Sequence, residues 1–138
     1  MKASHQDIEQ TIQSLHEKVT YIKEYLESTN FYPPQFALDN NKLNGMIVEI
    51  KDRKKENPFI DLTKYNTFAE VFYDEVKTFQ EQHEIVSKLV EKTNEKIKHV
   101  SKEKATAILE LKNAMSIHLH KGEIDKVKKT VKELKKML

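Results

Sequence analysis

The sequence predicts an all-α protein, an elongated antiparallel bundle of four to five helices with coiled-coil-like seams. Apolar residues recur at alternating spacings of three and four, which places them on one face of a helix. Charged residues make up 33% of the chain, and only two glycines and three prolines are available to interrupt helices. Capping sequences and turn residues divide the pattern into segments. At 138 residues, the chain is expected to form a single helical-bundle domain over residues 1–138.

The first helix is predicted from about Ser4 to Ser28. Ser4 with Asp7 resembles a capping box, in which each side chain satisfies a free backbone N–H at the helix start. The helix then carries a narrow apolar stripe. Its members are Ile8, Ile12, Leu15, Val19, Ile22 and Leu26.

A second, shorter helix is predicted to begin with Asp39 as its cap and to end before Asn57. Gly45 weakens this helix by roughly 1 kcal/mol relative to alanine. The cations at its end lie favourably against the negative end of the helix dipole. Its apolar face consists of Leu43, Met46, Ile47 and Ile50.

The longest helix is predicted from about Thr67 to Val100, with Thr67 and Glu70 as a second capping box. A helix of this length spans roughly 50 Å, whereas a compact globule of the whole chain has a radius of gyration of roughly 14 Å. Either the bundle is elongated or a second subunit covers the seam, and we predict a homodimer through this helix. His83 and Thr93 interrupt the stripe as polar residues, which either fix register or lie at its edge. The stripe is Phe72, Val76, Phe79, His83, Val86, Val90, Thr93, Ile97 and Val100.

The C-terminal segment is predicted to form a helical hairpin. Ser101 caps its first helix, and Gly122 lies where a left-handed residue would end that helix. A continuous helix through Gly122 is the alternative, since one glycine inside a helix costs only about 1 kcal/mol. The inner face of the first helix is Lys104, Ile108, Leu111 and Met115, with Leu119 as a further candidate, and that of the second is Ile124, Val127, Val131, Leu134 and Leu138.

The residues that several kinds of catalytic and metal-binding site require are missing from this sequence. There is no cysteine, and the two glycines are too far apart to form a phosphate-binding loop. Neither His-Glu-x-x-His nor Glu-x-x-His occurs, so the metal-binding helix patterns are missing. We therefore expect no enzyme activity, no cofactor and no metal. The sequence has no apolar segment at its start and none of membrane-spanning length. The chain is therefore expected to be cytoplasmic, with no membrane partner. Its bias towards lysine over arginine hints at a bacterial or phage source.

Charge is divided unevenly along the chain. Residues 1–87 carry a net charge of −5, from 10 basic and 15 acidic side chains, and residues 88–138 carry +7, from 14 basic and 7 acidic. The two halves either neutralise each other or leave the basic half to face an anionic partner. For nucleic acid, the candidate contacts are the lysines opposite the apolar stripe of the last helix. They include Lys128, Lys129, Lys132 and Lys136.

A loop rich in aromatic residues is the candidate surface for a protein partner. It contains Phe31, Tyr32, Pro33, Pro34 and Phe36 on a stiff backbone. Exposed aromatics dominate interface energetics, although the same residues could form a lid over the bundle. By elimination, the leading hypothesis is a non-enzymatic protein-interaction module, such as an adaptor, regulator or inhibitor. Nucleic-acid binding by the lysine-rich last helix is the alternative.

The segment His118-Leu119-His120-Lys121-Gly122 resembles the His-x-x-Lys-Gly signature of histidine phosphotransfer domains. The resemblance implies that His118 accepts phosphate, that Lys121 lies near it, and that Gly122 leaves room for a response regulator. In that family the helix normally continues past the glycine into a hairpin with another long helix, whereas here 16 residues follow. The other interpretation is two partly exposed histidines before a helix C-cap.

Overall fold

The computed structural model describes residues 5–57 and 60–138, and within these ranges it contains helices and no strand. The predicted all-α helical bundle is confirmed. The helices are α1 (His5–Ser28), α2 (Pro34–Glu56), α3 (Thr63–Lys96), a 3₁₀ turn (Ile97–His99), α4 (Lys102–His120) and α5 (Ile124–Met137). None of the described helices is long and apolar enough to cross a membrane.

The chain consists of two compact units, Met1–Val76 and Lys77–Leu138. Helix α3 is continuous through the boundary, so its first part belongs to the first unit and its remainder to the second. The single domain predicted for residues 1–138 stays a prediction, because a shared helix does not decide whether the units fold separately.

In the first unit, α1 and α2 pack antiparallel. The Lys54 ammonium pairs with Glu9 at one end, and the Asn40 amide donates to the Val19 carbonyl nearer the other. The first part of α3 lies against both helices through edge-to-face aromatic contacts, in which Phe36 meets Phe72 and Tyr21 meets Tyr73. The predicted α1 stripe is buried from Ile8 to Ile22, and Leu26 is half-buried.

Two helix starts differ from the prediction. Helix α2 begins at Pro34 rather than at Asp39, because proline at the first helical position loses no hydrogen bond and has its φ already set for helix. Helix α3 begins at Thr63 rather than at Thr67, because the Asp61 carboxylate accepts a hydrogen bond from the Thr63 N–H at 2.9 Å. That bond also lowers the pKa of Asp61. The Ser4 cap predicted for α1 lies outside the described residues.

The predicted hairpin of the second unit is confirmed. Ser101 caps α4 by accepting from the Lys104 N–H at 3.2 Å. At the other end Gly122 adopts a positive φ of 75°, and the N–H groups of Gly122 and Glu123 donate back to the carbonyls of the last turn. This pattern is the Schellman motif, which satisfies free helix carbonyls and reverses the chain.

The second unit buries polar as well as apolar side chains. Thr93 is fully buried, and its hydroxyl has no hydrogen-bond partner in the described part of the chain. His83 is half-buried, and that burial lowers the pKa of its imidazole. Lys104, predicted for the inner face of α4, is exposed because it lies in the first turn, beside the cap. The apolar core includes Val86, Leu89, Ile108, Met115, Leu119, Val127, Val131 and Leu134.

Candidate functional site

The most strongly charged surface of the second unit lies on α5. One side of this helix is buried through Val127, Val131 and Leu134. Successive residues on a helix are separated by about 100°, so positions 128, 129, 132 and 136 fall on the opposite side. All four are exposed lysines. We call this set, Lys128, Lys129, Lys132 and Lys136, the lysine face.

The charges of the lysine face are not neutralised by salt bridges. Within residues 5–57 and 60–138, none of its four ammonium groups forms an ion pair with a carboxylate. Neighbouring Lys126 differs, since it pairs with Glu123 at 2.9 Å. Two exposed acids, Asp125 and Glu133, share the helix with the lysine face. The face therefore presents positive charge to solvent.

Two further lysines of the second unit, Lys102 and Lys104, are exposed in the first turn of α4. At the end of α5, the partial negative charge that helix C-termini carry favours cations such as Lys136.

At the turn of the hairpin, the Glu123 carboxylate interacts with two basic side chains. Its carboxylate lies 3.0 Å from His118 Nδ1 and 2.9 Å from Lys126 Nζ. The hydrogen bond from His118, with that from Lys126, lowers the pKa of Glu123 to about 2. Glu123 therefore stays ionised and fixes the turn electrostatically.

This geometry differs from what the phosphotransfer resemblance implies. Helix α4 ends at His120 and the chain reverses at Gly122, so the helix does not continue past the glycine. The side chain of His118 is 29% exposed and one ring nitrogen already faces a carboxylate. Lys121 is exposed in the turn. The residues match the His-x-x-Lys-Gly pattern, but the helix on which that pattern normally lies is interrupted.

The aromatic loop is largely packed against its own unit. Pro33 is buried, and Phe36 lies inside α2 with its ring 6.0 Å from that of Phe72. Phe31 and Tyr32 are half-buried, and Pro34 is exposed. Of the five residues predicted to bind a partner, Phe31, Tyr32 and Pro34 keep accessible surface, while Phe36 serves the core.

A polar groove between α1 and α2 was not predicted from the sequence. It consists of two open hollows of about 450 and 480 Å³, and His16 lines both. Asn40, Asn41 and Asn44 recur at helical spacing along its α2 side, and this recurrence is the signal that could have revealed it. We call it the α1–α2 groove. Its polar lining includes Gln10, Gln13, His16, Thr20, Lys23, Glu27, Tyr32, Asn40, Asn41, Asn44 and Lys51.

Metal-ligating side chains do not gather in the described ranges, where no group of three His, Asp or Glu residues is placed to hold an ion.

Comparison with known proteins does not assign this chain to a family, since no family model, no curated protein and no solved structure matches it. The lysine face and the α1–α2 groove are the two surface features that bear on function.

Proposed function

We propose that this chain is a non-enzymatic binding protein that contacts the phosphate backbone of nucleic acid through the lysine face. The proposal is carried by one observation: four exposed lysines on one side of α5 lack a carboxylate partner in the described chain. An ion pair between exposed side chains adds little to protein stability. A cluster of unpaired lysines that binds a polyanion displaces the counterions condensed on it, and their release favours binding.

The residue types favour contacts that do not depend on base sequence. Bidentate recognition of base edges relies mostly on arginine, and Arg53 is the only arginine in the chain. It belongs to the first unit, where it donates to the Tyr65 hydroxyl at 2.9 Å. Lysine acts as a point charge, which suits phosphate. The proposed mode is thus electrostatic and indifferent to sequence.

The length of the lysine face matches a short segment of duplex DNA. From Lys128 to Lys136 the helix rises about 12 Å, and duplex DNA carries about seven phosphates over that length. A duplex segment of this length therefore holds enough phosphates for all four lysines. Neutralising four phosphates gives a slope of about −3.6 in log K against log salt concentration. Raising salt from 50 to 200 mM should weaken binding by about 100-fold.

The test is fluorescence anisotropy with a labelled 20-base-pair DNA duplex, titrated with the full chain at several salt concentrations. The variant carries Glu in place of Lys128, Lys129, Lys132 and Lys136. A matched control carries Glu in place of four other exposed lysines, Lys55, Lys64, Lys88 and Lys92. Each set changes the formal net charge from +2 to −6, since every reversal removes two charges. Circular dichroism verifies that both variants remain helical.

We expect the wild type and the control to bind with a steep salt dependence, and the lysine-face variant to lose binding. Equal losses in the two variants would mean that net charge alone matters, and the proposed surface would be wrong. Binding to poly-glutamate as tight as binding to the duplex would point to an acidic protein partner and overturn the nucleic-acid proposal. Absence of a salt-sensitive complex at 50 mM would overturn it as well.

A further inference from the structure

The α1–α2 groove has the length of a linear ligand. The lining of the two hollows on α1 runs from Glu9 to Glu27, and His16 lines both of them. Eighteen helical steps correspond to about 27 Å. An extended peptide of about eight residues covers that distance at roughly 3.3 Å per residue.

The walls of the groove carry groups that donate and accept hydrogen bonds without net charge. Asn41, Asn44 and Thr20 are exposed along it. Its lining carries two lysines and two glutamates. Lys23 lies 4.0 Å from Glu27, and at the other end Lys51 lines the groove while Glu9 pairs with Lys54. Each amide side chain offers two donor hydrogens and an acceptor oxygen, which is the complement of a peptide group. The lining residues themselves offer a phosphate backbone no net positive charge.

One buried polar atom in the groove lining is left unsatisfied. Asn40 is 8% exposed, and its amide nitrogen donates to the Val19 carbonyl at 3.3 Å. Its side-chain oxygen has no hydrogen-bond partner in the described part of the chain. An unsatisfied buried acceptor is costly, so a ligand N–H that donates to this oxygen would recover that cost.

The groove floor is apolar. It is formed by aliphatic side chains of both helices, namely Ile12, Val19, Leu26, Ala37 and Ile47. In an extended peptide, alternate side chains point to the same side. Such a peptide can therefore place every second side chain on this floor while its backbone meets the amides of the walls.

We infer that the α1–α2 groove binds an extended, uncharged peptide segment of a partner protein, with alternating apolar residues. A polysaccharide is a poorer match, because sugar rings stack on aromatic faces, and among the described residues that line the groove Tyr32 is the one Phe, Tyr or Trp. This surface belongs to the first unit and the lysine face to the second, so the inference stands independently of the proposed nucleic-acid binding.

The experiment selects octapeptides from a random phage-display library on the full chain and measures the enriched peptides by anisotropy. The test variant is Asn41→Ala with Asn44→Ala. The matched control is Asn94→Ala with Asn113→Ala, two exposed asparagines on α3 and α4. All four lie inside helices, so alanine raises helix propensity similarly in both variants.

Loss of two hydrogen bonds of ordinary strength should weaken peptide binding by about tenfold in the groove variant. The control and the lysine-face variant should bind the peptide as the wild type does, which separates failure of this inference from failure of the proposed function. Selection of no peptide, selection of predominantly charged peptides, or equal affinity for the groove variant would overturn the inference. Binding of an oligosaccharide that is lost with Asn41 and Asn44 would reassign the groove to sugars.

Discussion

Replacing each of the two glycines by alanine should shift stability in opposite directions. Gly122 has a φ of 75° in the turn after α4, a region where a Cβ costs roughly 1–2 kcal/mol. Gly45 lies in the interior of α2, and a Cβ built there meets no atom within 4 Å. Alanine at that site gains helix propensity of up to about 1 kcal/mol without a clash.

We therefore expect Gly122→Ala to lower the free energy of unfolding by about 1–2 kcal/mol and Gly45→Ala to raise it by about 0.5–1 kcal/mol. The two variants carry the same chemical change, so each serves as the control for the other. Urea unfolding followed by circular dichroism at 222 nm measures both, with the shift taken from the midpoint if the slope is unchanged.

The result that refutes the reasoning is an unchanged or increased stability of Gly122→Ala. A continuous helix through residue 122 would accept alanine there as readily as at residue 45. Asn is the informative intermediate, since it adopts the left-handed conformation more easily than alanine. Gly122→Asn should recover part of the lost stability.

Four further results are expected. Because the folded-state pKa of Glu123 is lowered to about 2, its contribution should be present above its unfolded pKa of about 4.3. That contribution should be lost as pH falls towards 2, and melting temperatures of Glu123→Gln should be flatter across this window. Ser101→Ala should destabilise the chain by about 1 kcal/mol in urea, through loss of the α4 cap. Thr93→Val should leave stability unchanged or raise it in calorimetry, since the buried hydroxyl has no partner in the described chain. Light scattering at micromolar concentration should give a dimer mass if a second copy pairs along α3, and a monomer mass would contradict that prediction.

Periodicity predicted the parts of the fold that depend on burial. The stripe from Ile8 to Ile22 is in the core, and the apolar positions Val127, Val131 and Leu134 line the inner side of α5. The hairpin at Gly122 was also predictable, because a glycine after the last apolar position favours a left-handed cap. Each of these features is set by residues close together in the sequence.

Helix starts and surface sites were less predictable. Asp39 and Thr67 have suitable capping chemistry, but Pro34 and Asp61 lie earlier in the chain and begin the helices first. The lysine face was apparent in the sequence, whereas its lack of carboxylate partners depends on where Asp125 and Glu133 lie in space. The spacing of Asn40, Asn41 and Asn44 indicates a polar side of α2, whereas the groove itself depends on how α1 packs beside that side.

The continuity of α3 decides how this chain should be divided for experiments. Cutting between Val76 and Lys77, where the two units meet, would split the helix into pieces of 14 and 20 residues. Isolated helices shorter than about 12–15 residues are marginal in water, so the shorter piece would tend to unravel. Overlapping fragments that each keep the whole helix, residues 1–96 and 63–138, preserve every turn that either unit uses.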